Sequence, residues 1–221
     1  MKKIRIGVVG LGGRGLSLLK TASQNPYVEV CAACDLNEER LDIAKKTFEE
    51  KGVFTINYYS TLNELKNSDV EAVIVAVPIE LHCEVSIELL NAKKHVFCEI
   101  PIFSNIDEAK KLYRAVSANP EVNFMTAENC CFWAFVHSWK KMYESGMLGR
   151  VVVAEAEYLH NDKKPEHYSI RKDKWRAFLP AITYITHSLG PLVFMTGDEC
   201  ESVCGFAPKY NPYEDVHPAD P

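Results

Sequence analysis

Three glycines near the N-terminus have the spacing that brings a backbone close to a phosphate. Gly10, Gly12 and Gly15 follow an apolar stretch, residues 4–9, and satisfy the pattern G-x-G-x-x-G. In this pattern the first glycine allows a tight turn, the second lets the backbone approach a pyrophosphate, and the third lets a helix pack closely on a strand. We therefore expect this turn, with the N-terminus of the helix after it, to bind a dinucleotide.

An acidic residue stands where such a unit binds the adenosine ribose. A second apolar stretch, residues 28–34, ends in Asp35, which lies 20 residues after Gly15. A carboxylate at this place accepts hydrogen bonds from the ribose and repels a 2′-phosphate. Because no basic residue precedes Arg40 in this segment, the pattern favours NAD over NADP.

Composition and charge restrict the class of protein. The chain has 221 residues, 47% of them hydrophobic, and a net charge of −5 with both signs mixed along its length. It offers no basic face for nucleic acid, no polybasic segment for anionic lipid and no apolar run long enough to span a bilayer. We expect a cytoplasmic protein with a small-molecule substrate, since no leader precedes the first strand.

Five of the eight cysteines are interpreted as buried apolar residues instead of metal ligands or disulfides. Cys31, Cys34, Cys83, Cys98 and Cys204 all fall in predicted strands or helices, where a free thiol behaves as a small hydrophobe. Two side chains three apart on a strand point to opposite faces and chelate poorly. We assign no metal.

Apolar strands and amphipathic helices alternate through residues 1–127, which predicts a doubly wound α/β Rossmann domain with a parallel sheet. Predicted N-caps at Asn37, Thr61 and Asn105 mark helix starts. Residues 128–221 are expected to form a partial α/β substrate and oligomerisation domain. Its predicted elements are a helix with a core-facing aromatic stripe from Phe132 to Tyr143, a strand at 151–160, a loop or lid at 161–175, a helix at 183–195 and a strand at 200–206.

Four ordered motifs together resemble the Gfo/Idh/MocA oxidoreductases. They are residues 10–15 (GLGGRG), 76–82 (AVPIELH), 94–101 (KHVFCEIP) and 127–129 (AEN). The resemblance implies a Rossmann domain followed by an α/β domain. The open sheet of that second domain forms the floor of the substrate site and often a dimer interface. Members of the family run on through further strands. We therefore expect an incomplete second sheet, either because the chain is a fragment or because the missing strands come from elsewhere. The exposed edge of such a sheet invites pairing in a homo-oligomer.

Two positions depart from the family pattern. The usual Glu-Lys-Pro is Glu99-Ile100-Pro101, and isoleucine cannot donate a proton or a hydrogen bond. The usual aspartate one helical turn before the catalytic histidine is Thr183. Residues 183–191 instead resemble a branch of the superfamily without the lysine, and NAD-dependent glycosidases of the same fold.

The resemblance identifies His187 as the candidate catalytic base. Tyr184 and His187 are three residues apart, so on a helix they share one face. Imidazole titrates near neutral pH, which suits removal of a hydroxyl proton while hydride leaves. Tyr184 is either an accessory acid or hydrogen-bond donor, or a packing residue.

The remaining candidates surround the cofactor or the substrate. His82 lies either near the nicotinamide ribose or on a helix surface, and Pro101 follows a possible cis bond. Asn129 contacts the carboxamide or a sugar hydroxyl, or caps a helix. The candidate cofactor-binding residues are Gly10, Gly12, Gly13, Arg14, Gly15, Asp35, Pro78, His82, Glu99, Pro101 and Asn129; the candidate substrate-binding residues are Glu128, Trp175 and Arg176.

Three functions follow from these residues. The first is an NAD-dependent oxidoreductase that removes hydride from a secondary hydroxyl of a sugar, glycoside or cyclitol. The second is NAD-dependent glycoside cleavage by transient oxidation and elimination, which the loss of the lysine favours. The third is a catalytically silent nucleotide-binding or regulatory protein.

Overall fold

A computed structural model describes residues 2–159 and 184–206 of the chain. The chain divides into two compact units, residues 1–128 and 129–221. Within the described ranges, no helix is both long enough and apolar enough to cross a membrane.

The first unit alternates strands and helices. Its elements are β1 (Ile4–Val9), α1 (Gly13–Ser23), β2 (Val28–Cys34), α2 (Glu38–Glu49), β3 (Asn57–Tyr59), α3 (Leu62–Lys66), β4 (Ala72–Val75), α4 (Ile79–Asn91), β5 (His95–Cys98), α5 (Ile106–Ala118) and β6 (Phe124–Thr126).

All six strands form one sheet in the order β3-β2-β1-β4-β5-β6, and every neighbouring pair is parallel. The carboxyl ends of the strands therefore lie at the same edge. The chain order reverses at β1, which has β2 on one side and β4 on the other, and a crevice opens there. The predicted Rossmann fold class is confirmed.

Helices cover both faces of the sheet, which explains why its strands are apolar at nearly every position. One face packs around Leu19 and Phe48, and the other around Leu65, Leu89 and Leu90, all of them at most 1% exposed. Burial on both faces of the sheet fixes the position and register of each strand. The strand ends at the crevice are thereby held in place.

The three predicted helix caps are confirmed. The Asn37 side chain accepts a hydrogen bond from the Arg40 amide, and that of Asn105 accepts from two amides in the first turn of α5. Thr61 and Glu64 form a reciprocal capping box at α3. The hydrogen bond from the Thr61 side chain holds the pKa of the Glu64 carboxyl below its usual value.

The described residues of the second unit are helical or without regular structure. They form a 3-10 helix (Asn129–Phe132), α6 (Ala134–Glu144) and α7 (Thr186–Thr196). Strands were predicted at 151–160 and 200–206, and within the described residues both predictions are wrong. Residues 151–159 and 200–206 pair with no neighbouring strand in the described part of the chain. Alternation of apolar residues favours an extended chain, but a strand also requires a hydrogen-bonded partner.

The aromatic stripe from Phe132 to Tyr143 is not a buried core, contrary to prediction. Phe132, Phe135 and Trp139 are each about half exposed, and Val136 is the buried residue of α6. The rings pack on one another, with the Phe135 and Trp139 centroids 4.9 Å apart in an edge-on arrangement. Helical spacing places side chains on one face, but it does not determine what covers that face.

The cysteines of the first unit are buried as predicted, whereas Cys204 is exposed and its predicted burial is wrong. Cys204 lies in the segment that lacks a strand partner. Burial raises the pKa of Cys34 and of Cys98 to about 12, because a thiolate is poorly solvated in the sheet core.

The cysteine environments predict which thiols are reactive. At pH 8 the thiolate fraction of Cys34 and Cys98 is on the order of one in ten thousand. We expect iodoacetamide to alkylate the exposed Cys200 and Cys204 within minutes and to reach Cys34 and Cys98 only after unfolding. Peptide mass spectrometry measures this order. Rapid labelling of Cys98 in the folded protein would contradict the buried arrangement.

The close packing of α1 on β1 predicts different effects of alanine at two glycines. A Cβ on Gly15 would overlap the carbonyl oxygen of Gly10, whereas a Cβ on Gly13 would meet nothing within 4 Å. We expect Gly15→Ala to lower the free energy of unfolding by at least about 2 kcal/mol. The control Gly13→Ala should stay within about 1 kcal/mol of the wild type in urea unfolding. Equal stabilities of the two variants would refute the close approach.

Candidate functional site

The glycine-rich turn joins β1 to α1 at the crevice. Gly10 has a φ of +87°, and a Cβ there would collide with the backbone of Ala76 at the end of β4. Its amide donates to the Cys34 carbonyl at 2.8 Å, which ties the turn to β2. A left-handed glycine between two neighbouring strand ends can bring the backbone this close, and a side chain cannot.

The turn leaves open space at the N-terminus of α1. Gly12 precedes the helix, and a Cβ on either Gly12 or Gly13 would meet nothing within 4 Å. The first turn of the helix carries no acidic residue, so its unpaired amides present a positive dipole end. These features fit the pyrophosphate of a dinucleotide.

Asp35 is held rigidly beyond the end of β2. It is 7% exposed, its Oδ2 accepts a hydrogen bond from the Leu11 amide at 2.6 Å, and its Oδ1 accepts from the Asn37 amide at 2.9 Å. The Arg40 guanidinium lies 3.5 Å from Oδ2. The carboxylate therefore lies beside the glycine-rich turn, as the ribose-binding prediction requires, and a cation flanks it.

His82 links the segments after β4 and β5. It is 3% exposed, with Nδ1 2.7 Å from the Pro101 carbonyl oxygen and Nε2 2.8 Å from that of Val77. The helix-surface alternative for His82 is therefore wrong. Pro78 is the N-cap of α4, and Pro101 follows a cis peptide bond, as foreseen. The imidazole fixes the two segments that border the crevice.

Glu99 forms an ion pair with Arg14. Glu99 directly follows β5 and is largely buried, and its Oε1 lies 2.7 Å from Nε of Arg14 in the glycine-rich turn. Ile100 is 9% exposed. Arg14 thus neutralises the Glu99 carboxylate and keeps about half of its own side chain in solvent.

His187 lies among aromatic rings in the second unit. Its ring centroid is 4.3 Å from that of Tyr158 and 5.7 Å from that of Tyr184. The phenol rings of Tyr158 and Tyr184 are parallel, 6.4 Å apart. The structure therefore brings Tyr184 and His187 together, as their spacing predicts.

Two neighbours of His187 were missed by sequence reasoning. Tyr158 falls in the segment interpreted as a strand, and Cys130, whose Sγ is 3.2 Å from His187 Nδ1, follows the end of the AEN motif. A search that continued the motif to residue 130 would have included the cysteine. Tyr158 carries no local signal, since only tertiary packing brings it to residue 187.

Of the remaining predicted residues, Glu128 and Asn129 lie in the described part of the chain. Glu128 is buried at the end of the first unit, and Asn129 is exposed at the start of the 3-10 helix. Trp175 and Arg176 lie outside the described residues. Their substrate-binding roles stay predictions.

The chain matches a family model described as an oxidoreductase family with an NAD-binding Rossmann fold, Gfo/Idh/MocA, over residues 4–127. It belongs to this family. The match confirms the NAD-binding, oxidoreductase class predicted from the four motifs.

Curated relatives with similar sequences are named as glycosidases. A glycosyl hydrolase family 109 protein of Solibacter usitatus is 29% identical over 200 residues, which is 86% of this chain and 45% of the relative. An alpha-N-acetylgalactosaminidase of Shewanella oneidensis is 26% identical over 202 residues, 87% of this chain and 44% of the relative. The chain thus spans less than half the length of these relatives.

Similar solved structures are dehydrogenases. Scyllo-inositol dehydrogenase of Lactobacillus casei, solved with NAD(H) and scyllo-inositol, has a TM-score of 0.61 and 27% identity, over 67% of this chain and 43% of that one. A probable dehydrogenase of Thermotoga maritima has a TM-score of 0.59 and 31% identity, over 66% and 42%.

Because the space at Gly12 is open, we predict that a substitution there weakens cofactor binding without changing the stability of the fold. Gly12→Ala should unfold like the wild type, because its methyl group meets no protein atom. The same methyl group would occupy the place of the pyrophosphate, so we expect the Kd for NAD to rise at least about tenfold. Calorimetric titration measures the affinity. Unchanged NAD binding by a folded Gly12→Ala variant would show that the dinucleotide binds elsewhere.

Proposed function

We propose that this chain is the cofactor-binding part, with the beginning of the substrate domain, of an enzyme that oxidises a secondary hydroxyl of a sugar, glycoside or cyclitol. When bound, NAD would supply the hydride acceptor. The observation that carries the proposal is the grouping of His187 with two phenols, in a chain whose first unit belongs to an NAD-binding oxidoreductase family.

The cofactor residues are assigned as follows. The amides of the glycine-rich turn and of α1 hold the pyrophosphate, and the Asp35 carboxylate accepts hydrogen bonds from the adenosine ribose. His82 fixes the segments that carry Pro78 and Pro101, so that the nicotinamide half meets a preformed surface. Asn129 is a candidate for the carboxamide.

A proton must leave the substrate hydroxyl as hydride leaves its carbon. We assign its uptake to the ring cluster of Tyr158, Tyr184 and His187. Imidazole has a proton affinity suited to this exchange near neutral pH. Glu128, Trp175 and Arg176 are proposed to orient the sugar by hydrogen bonds and ring contact.

Redox-assisted glycoside cleavage is the second candidate. Ile100 stands where the family lysine would be, and the named glycosidases match 86–87% of this chain. In such a reaction the sugar is oxidised, eliminates its aglycone, adds water at the carbon that carried the aglycone and is reduced again, so that no reduced cofactor accumulates.

The free cysteines favour a reducing, cytoplasmic location. The family resemblance favours a homo-oligomer. Size-exclusion chromatography with light scattering measures the oligomeric state.

One experiment distinguishes the dehydrogenase, the glycoside-cleaving enzyme and the catalytically silent protein from one another. The protein is incubated with NAD and a panel of cyclitols, sugars and 4-nitrophenyl glycosides, while absorbance at 340 nm reports NADH and absorbance at 405 nm reports the nitrophenolate. NADH formation supports the dehydrogenase, and nitrophenolate release without NADH supports cleavage. Neither signal, with NAD binding intact, would favour a catalytically silent protein.

A histidine pair tests the acid–base assignment. His187→Gln should lower kcat by about 10²- to 10⁴-fold with a smaller effect on KM, because it removes a proton-transfer group. His137→Gln, a histidine on α6 that packs against Phe194, is the matched control and should retain activity. Wild-type turnover by His187→Gln would remove His187 from the mechanism.

A further inference from the structure

Arg14 donates to Glu99 through Nε alone. This nitrogen lies 2.7 Å from Oε1 of Glu99, which fixes one edge of the guanidinium. Neither terminal nitrogen of Arg14 is hydrogen-bonded to any residue of the described ranges, 2–159 and 184–206. About half of the Arg14 side chain is in solvent, whereas the Glu99 side chain is 13% exposed. The ion pair therefore has a buried, fixed end and an open end whose N–H groups can still donate.

The open end of the pair belongs to the turn assigned to the pyrophosphate. Arg14 lies in the first turn of α1, and no other charged residue occurs between Arg5 and Lys20. The first turn of α1 carries no acidic residue, and a Cβ on Gly12 would meet nothing within 4 Å. Helix N-termini of this kind bind phosphate groups. Arg14 is therefore the side-chain cation that the turn itself supplies for an anion bound there.

A guanidinium can bind two anions at once. Its N–H groups form a planar fork that matches the oxygens of a carboxylate or of a phosphate. A hydrogen bond from Nε to Glu99 leaves the terminal N–H groups of this fork for phosphate oxygens. An arginine side chain loses rotamer entropy when a ligand fixes it. Because the Glu99 carboxylate already fixes Arg14, less of this entropy remains to be lost on binding.

We propose that Arg14 binds Glu99 and a pyrophosphate at the same time, with Nε on the carboxylate and the terminal nitrogens on phosphate oxygens. Glu99 is then a positioning residue, which acts on the bound anion through Arg14. This role rests on the proposed function, since it assumes that the dinucleotide binds at the glycine-rich turn. The pair recognises the diphosphate that NAD and ADP share, and not the adenosine.

The Nε–H resonance of Arg14 reports the ion pair directly. It is recorded in ¹H–¹⁵N spectra of the labelled 221-residue chain at mildly acidic pH and identified by its loss in Arg14→Lys. The Nε–H group should be protected from exchange with solvent in the wild type. Saturating ADP, which has the diphosphate but no second ribose, should leave Nε–H protected and protect the terminal N–H groups as well. Loss of protection at Nε on addition of ADP would show that Arg14 leaves Glu99, and would overturn the proposal.

Ligands that differ in their phosphates locate the contact of Arg14. Calorimetric titration compares NAD, ADP and adenosine, which has no phosphate. Arg14→Ala should raise the Kd for ADP and for NAD at least about tenfold, because a charge-assisted contact is lost, and should leave the Kd for adenosine unchanged. Arg114→Ala, which removes an exposed arginine from α5, is the matched control and should not change the affinity for any of these ligands. Equal Kd values for ADP in Arg14→Ala and the wild type would refute the contact.

Two neutral substitutions test the positioning by Glu99. Glu99→Gln and Glu99→Ala both remove the negative charge, but only glutamine keeps an oxygen that can accept from Nε. Glu99→Gln should therefore bind ADP at least about threefold more tightly than Glu99→Ala, and this difference should vanish when Arg14→Ala is added. Equal affinities of Glu99→Gln and Glu99→Ala in the presence of Arg14 would exclude the positioning role. The spectra of the wild type with ADP need no variant of Glu99, so they test the ion pair even if Glu99→Ala does not fold.

Failure of this role and failure of the proposed function give different results. If neither NAD nor ADP binds, the cofactor assignment is wrong and the role of Arg14 is wrong with it. If NAD binds, and Gly12→Ala weakens its binding while Arg14→Ala does not, the cofactor site stands and only the role of Arg14 is wrong. None of these measurements requires turnover of a substrate.

Discussion

The approach of two glycine backbones at the first turn controls the geometry of the cofactor crevice. Gly15, in the first turn of α1, lies so close to the Gly10 carbonyl that no side chain fits between them, and Gly10 itself is pressed against the end of β4. The helix can therefore start directly over the sheet at its switch point. Its N-terminal amides, the Asp35 carboxylate and the ends of β4 and β5 are all positioned relative to this contact.

The first unit was predictable because its signals are local and repeated. Three local signals each indicate the same fold: the alternating apolar strands, the side-chain caps such as Asn37 and the fixed glycine spacing. The burial of His82 was not predictable from its spacing on α4. It depends on two carbonyl groups of segments that meet only after the sheet has formed.

The second unit was predicted less well, and the reason is physical. Alternation in residues 151–159 predicts an extended chain, but pairing depends on a neighbour that no local pattern specifies. The same limit applies to the candidate site. Tyr184 and His187 are three residues apart and were found, whereas Tyr158 and Cys130 reach the imidazole through tertiary packing.

The bridge made by His82 affects how tightly a ligand can be held. Both backbone segments at the crevice are already joined through one buried ring, so binding need not order them. Less conformational entropy is lost on association when a surface is preorganised. The heat-capacity change on cofactor binding should then correspond to the apolar area buried by the ligand alone, without a contribution from coupled folding.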